Sequence, residues 1–99
     1  MYTVIRRYQG VQDSAEVARR AVEEFAPQLR DQPGFQGYWA DDAGDGIAAT
    51  ITVFDTEEQA VASIAAAAAW VRENMEAQVP NAPQVTAGIT TGVMAEVPA

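Results

Sequence analysis

Apolar residues cluster with two arginines over residues 2–9, YTVIRRYQ, a run rich in β-branched and aromatic types that stops at Gly10. That pattern predicts a strand. From Ser14 the period lengthens: Ala18, Ala21, Val22, Phe25 and Leu29 recur at helical spacing, while Arg19, Arg20, Glu23 and Glu24 fall elsewhere. A helix is expected over 14–31, with Asp13 or Ser14 as N-cap and Glu16 in the first turn, where the helix dipole favours an acid. Pro27 lies inside it and cannot donate to the carbonyl of Glu23, so it should bend the helix or tighten its last turn. Pro33-Gly34 closes the segment, and strands follow at about 35–41 and 47–55, joined by DAGDG. Thr56, Glu57 and Glu58 open a second helix reaching about Val79. Its expected buried stripe is Ala60, Val61, Ile64, Ala67, Ala68, Val71 and Met75. The alanine run at 65–69 favours helix and close packing. Pro80 and Pro83 break the chain before a last strand over 84–95.

The order is β-α-β-β-α-β, so the fold class is α+β: a ferredoxin-like four-stranded antiparallel sheet with two helices on one face, in a single domain over 1–99. The third strand, IAATITVF, carries no charge on either side. A sheet apolar on both faces has to cover the face the helices leave bare. The simplest cover is a second copy packed sheet to sheet, so a homodimer is expected. The many alanines point the same way, because each buries little area on its own.

Charge narrows the function. The formal charge is −8, and the chain contains no histidine, cysteine or lysine. Six scattered arginines do not form the basic stripe that nucleic acid or an anionic membrane requires. Disulfides and thiolate metal sites are excluded, and zinc, copper or haem iron would lack the usual ligands. The first residues, MYTVIRRYQG, form neither a signal peptide nor a span, so a cytoplasmic protein is expected. DDAGDG fails the EF-hand pattern, since its third and twelfth places fall on Ala43 and Thr52; Asp and Gly there are read as hairpin chemistry. No cofactor is assigned.

Three constellations could carry chemistry. Tyr38 and Trp39 are adjacent on a strand and point to opposite faces, one of them toward the helices; as core they fill space, and among alanines and glycines they could wall a pocket. Trp70 and Asn74 stack one turn apart at the edge of the apolar stripe, in a row with Ser63, either lining a cavity or partly solvated. Arg6 and Arg7 point to opposite sides of the first strand, so with both faces covered at least one is buried or borders a pocket. A buried arginine needs an anionic partner. Glu96, Asp41 and Asp55 are the structural candidates, and a ligand carboxylate or phenolate is the functional one. Tyr2 and Tyr8 share a strand face with Arg6.

PGFQGYW at 33–39, DAGDG at 42–46, TVFDTEEQA at 52–60, WVRENM at 70–75 and VTAG at 85–88 together resemble the antibiotic biosynthesis monooxygenase-like branch of the dimeric α+β barrel superfamily. The likeness spans essentially the whole chain. It implies paired ferredoxin-like sheets with a pocket between sheet and helices in each protomer. Some members oxidise phenolic polyketides with dioxygen and no metal or flavin, using Trp, Asn, Tyr and Arg side chains. Haem-degrading members use a His that this chain lacks. The resemblance implies a cofactor-independent monooxygenase acting on a small aromatic or polyketide-like substrate, with Trp70, Asn74 and Arg6 catalytic and Tyr38 binding substrate; the strand and helix placement above adds Trp39, Tyr8 and Ser63 as candidate substrate-binding residues. The competing expectation is a non-catalytic homodimer that binds a small hydrophobic ligand or is structural.

Overall fold

The structure is a computed structural model that describes residues 1–94. Four strands, β1 (Tyr2–Tyr8), β2 (Phe35–Gly44), β3 (Ile47–Phe54) and β4 (Gln84–Ile89), form one antiparallel sheet in the order β2-β3-β1-β4. The helical segments are α1 (Ser14–Arg20), a π-helical turn (Ala21–Phe25), α2 (Ala26–Arg30) and α3 (Glu57–Asn74). This is the ferredoxin-like order expected from the sequence. The last strand ends at Ile89, short of the expected 84–95: residues 90–94 lie outside any strand, while Glu96 lies outside the described residues.

The first crossover departs from a plain helix at its centre. Asp13 caps it through its carboxylate, which accepts from the Glu16 N–H. Val17, Ala21, Phe25 and Leu29 are its buried residues. They are spaced four apart, which in an α-helix drifts about 40° per step around the axis. The π turn takes up that drift. It also ends at the Pro27 break, where no N–H is available to continue the α ladder. Pro27, expected to bend the helix or tighten its last turn, thus follows a widened turn that the sequence did not indicate.

The β2–β3 hairpin is set by local chemistry. Asp45 and Gly46 form its two-residue loop with φ of 53° and 71°, the pair of positive values a type I′ turn needs. The Asp42 carboxylate accepts the Gly44 N–H at 3.0 Å and the Ser14 hydroxyl at 2.6 Å, tying the hairpin to the start of α1.

Alternation assigns the faces. Val4, Arg6 and Tyr8 of β1, with Ala48, Thr50, Thr52 and Phe54 of β3, are buried against the helices. Ile5, Ile51 and Trp39 pair across the other face, where Ile5 and Trp39 are exposed and Ile51 is half-buried. Trp39 is 54% exposed and its ring lies over Gly37, where an added Cβ would meet it at 2.5 Å.

α3 opens with a reciprocal capping box between Thr56 and Gln59. It ends at Asn74, before the expected Val79, because Met75 leaves helical geometry and Pro80 disfavours helix at the residue before it. Its buried face is Ala60, Ser63, Ala67 and Trp70. The helix is thus rotated from the expected stripe: Val61 and Ala68 are exposed, while Ile64 and Val71 are half-buried. β4 is uncovered on the helix side, with Val85 and Ile89 exposed.

Candidate functional site

The site begins with Arg6, which strand alternation turns inward and which is 1% exposed. Its Nε donates to the Thr50 hydroxyl at 3.1 Å and its Nη2 to the Thr52 hydroxyl at 3.2 Å. Both threonines face the helices from the neighbouring strand, and Thr50 is the direct cross-strand partner of Arg6. Nη1 is buried and has no hydrogen-bond partner among the described residues. The ion pairs there all lie on the first crossover, joining Arg19 to Glu16 and Glu23, and Arg20 to Glu24. A guanidinium keeps its charge under all ordinary conditions, so Arg6 is a buried cation held by two neutral hydroxyls.

Two phenols flank it without supplying a counter-charge. Burial pushes the Tyr8 and Tyr38 hydroxyls up from the usual phenol value, and the nearby Arg6 charge pulls both back in part. The net direction is upward, so both are neutral at neutral pH. Tyr38 meets Phe25 edge-on at 5.9 Å, and Phe25 packs on Trp70 at 5.7 Å. The helix-facing aromatics thus form one cluster beside the guanidinium.

Arg6 and Tyr8 border two spaces. The first, enclosed by Tyr38, Phe25, Trp70 and small side chains, has a volume of about 30 Å³. That holds roughly one or two waters and no organic ligand. The second is a groove of about 340 Å³ between α3, the 79–83 loop and the uncovered side of β4. It falls in the size range of small-molecule sites, roughly 300–1,000 Å³. Its walls are mostly apolar, with Ile64, Ala68 and Val71 on one side and Val79, Pro80 and Val85 on the other, and Arg72 and Glu76 also line it.

The expected site residues divide among these spaces. Arg6 and Tyr8 belong to the groove, and they join Tyr38 and Trp70 at the small core void. Asn74 is exposed; its amide donates to the Trp70 carbonyl at 3.0 Å, and it lines an outer cleft together with Trp70, Glu24, Gln28 and Glu73. Ser63 is buried away from both, its hydroxyl on the Ala60 carbonyl at 2.5 Å, beside a cleft containing Leu29 and Phe54. Trp39 is on the opposite face of the sheet. Sequence reasoning missed Thr50, Thr52 and Glu76. The threonines were legible in principle, because pairing β1 with β3 places them beside Arg6.

The arrangement defines a small α+β protein with a buried arginine, without a counter-charge among the described residues, beneath a ligand-sized groove. The same ferredoxin-like fold is found in two solved structures. A protein of unknown function from Nitrosomonas europaea matches with a TM-score of 0.71 and 18% identity, over 99% of this chain and 94% of its own. The monooxygenase from the gene ActVA-Orf6 of Streptomyces coelicolor, solved in complex with nanaomycin D, matches with a TM-score of 0.72 and 15% identity, over 97% of this chain and 92% of its own. Comparison with protein-family models gives no match, and comparison with curated proteins gives none either. No helix among the described residues is long and apolar enough to cross a membrane.

Proposed function

We propose that this chain binds a small aromatic ligand in the groove between α3 and β4, as a homodimer joined through the outer sheet face. The observation that carries the reading is the groove itself: a ligand-sized, apolar-walled space with a buried cation and a neutral phenol at one boundary. The dimer rests on the outer face, where Ile5 and Trp39 stand exposed beside Ile47, Ile51 and Val53. Contiguous apolar surface of this kind marks an interaction site. The test is calorimetric titration with 1-naphthamide and 1-naphthoate. Binding of at least one, abolished by filling the groove with Ala68→Phe, supports the reading. Failure of both probes to bind, or unchanged affinity in Ala68→Phe, refutes it.

A second reading, cofactor-independent oxygenation, is favoured by one feature: Arg6 offers fixed positive charge where a substrate anion would form. Glu76, the carboxylate lining the groove, would take a proton from an acidic substrate C–H. The carbanion would pass one electron to dioxygen, and the two radicals would combine as a peroxide. Loss of water from it converts a CH₂ to a C=O, with one oxygen atom in the product and the other in water. Trp70 and Asn74 lie outside the groove, so this reading rests on Arg6, Tyr8 and Glu76. Oxygen uptake with an anthrone-type phenol, in the presence of a chelator, tests it. Arg6→Met should lower the rate about a hundredfold, the scale set by loss of one anion-stabilising donor. Asn74→Ala should leave the rate unchanged. Absence of uptake would leave the binding reading alone.

A further inference from the structure

We infer that the groove's natural ligand is a small organic mono-anion, an apolar body carrying a single carboxylate or phenolate that neutralises Arg6; this rests on the groove-binding reading above. Arg6 is buried, yet Asp41 and Asp55, two acids that could have balanced it, are engaged elsewhere. Asp41 is exposed and pairs with Ala49, in the outward-facing row of β3. Asp55 is exposed, and its carboxylate accepts the Gln36 amide at 2.5 Å. Tyr8 and Tyr38, pushed upward by burial, remain neutral. Arg72 and Glu76, both exposed, offset one another along the groove, which leaves the charge of Arg6 unmatched among the described residues. In a chain of formal charge −8, a groove with a net positive lining is a local exception that needs a physical cause.

Charge number and shape set the ligand class. A single buried cation is neutralised by a single negative charge, whereas a dianion such as a phosphate monoester would carry surplus charge into apolar walls. Nε and Nη2 are already engaged by Thr50 and Thr52, so Nη1 is the nitrogen left to receive an oxyanion. Nη1 is itself shielded, so the ligand reaches it only as the Arg6 or Tyr8 side chain re-seats, a scale of change common at binding surfaces. The apolar walls then select for the body of the molecule.

The test compares isosteres on the whole chain: 1-naphthoate, neutral 1-naphthamide and dianionic 1-naphthyl phosphate, by calorimetry at neutral pH and fixed protein concentration. One charge-assisted hydrogen bond predicts that naphthoate binds about ten to a hundred times more tightly than the amide, and the phosphate more weakly than naphthoate. Arg6→Met should bring the carboxylate-to-amide ratio to about one, because the amide lacks the charge that Arg6 recognises. The wild-type ratio alone decides the matter if that variant fails to fold. Equal affinity for carboxylate and amide overturns the mono-anion inference and leaves the groove reading intact. Tightest binding of the phosphate overturns the charge assignment. Binding of none of the three removes the groove reading, and this inference with it.

Discussion

Replacing Arg6 with Met should leave the protein as stable as before or more so, which is unusual for a fully buried side chain with two hydrogen bonds. The cation is desolvated at a cost of several kcal/mol. Against that stand its bonds to Thr50 and Thr52, each about 1.5–3 kcal/mol because the donor is charged. Methionine removes both sides of this balance, keeps much of the volume, and adapts to irregular space. The freed Thr50 hydroxyl borders the small void, where a water can satisfy it. The two terms nearly cancel, so the expected net effect lies between zero and about 3 kcal/mol of stabilisation. Urea unfolding at fixed protein concentration, followed by fluorescence of the buried Trp70, measures it. At an m-value of about 1–3 kcal/mol/M, a gain of about 1 kcal/mol moves the midpoint up by roughly 0.3–1 M. A loss of more than about 3 kcal/mol would refute the reasoning, because breaking a buried pair costs about that much. Arg6 would then have a counter-charge in the folded protein, and the anion inference would lose its basis.

Other consequences are simpler to state. Thr52→Val removes the acceptor of Arg6 Nη2 at a fully buried position and should destabilise by about 1–3 kcal/mol in the same assay. Trp39→Asp on the exposed outer face should convert a dimer to a monomer in light scattering without loss of helical circular dichroism; a monomeric wild type would remove the dimer proposal. Gly46→Ala places a Cβ at φ 71° and 3.2 Å from the Val11 carbonyl oxygen, and should cost about 1–2 kcal/mol by thermal unfolding. The Asp42 carboxyl is held below its usual value by the Ser14 hydroxyl and then by the Gly44 N–H. Its folded value lies below its unfolded one, so its contribution to stability is complete above the usual carboxylate range and is lost as pH falls through the folded value. Ser14→Ala should raise the Asp42 midpoint in an NMR titration.

The sheet was legible because its information is local. Period-two alternation put Arg6 with Tyr8 and Thr50 with Thr52, and Asp-Gly chemistry marked the hairpin. The rotation of α3 was not legible. Of its expected stripe Ala60, Ala67 and Met75 are buried, whereas Val61 and Ala68 are exposed, because alanine and valine look alike in a periodic pattern. Which side of the helix meets the sheet was instead decided by Trp70, the largest residue on it, which packs on Phe25. That choice turned Asn74, four residues on, to solvent at the helix end, where its amide bonds the Trp70 carbonyl. The Trp–Asn pair therefore shares a helix turn without sharing the groove.

The same rotation explains why there is a groove at all. With Trp70 directed toward the crossover helix, the α3 side facing β4 carries Ile64, Ala68 and Val71. Alanine at the centre of that row cannot span the distance to the strand. Val85 and Ile89 stay uncovered on a side where larger residues would have closed the core. Filling the gap with side chains would add buried area and stability at about 25 cal/mol per Å². A chain that leaves apolar surface open there, next to a cation that costs free energy to bury, has the energetic profile of a binding site. On the reading proposed here, both deficits would be relieved by one event, the arrival of an apolar molecule bearing one negative charge.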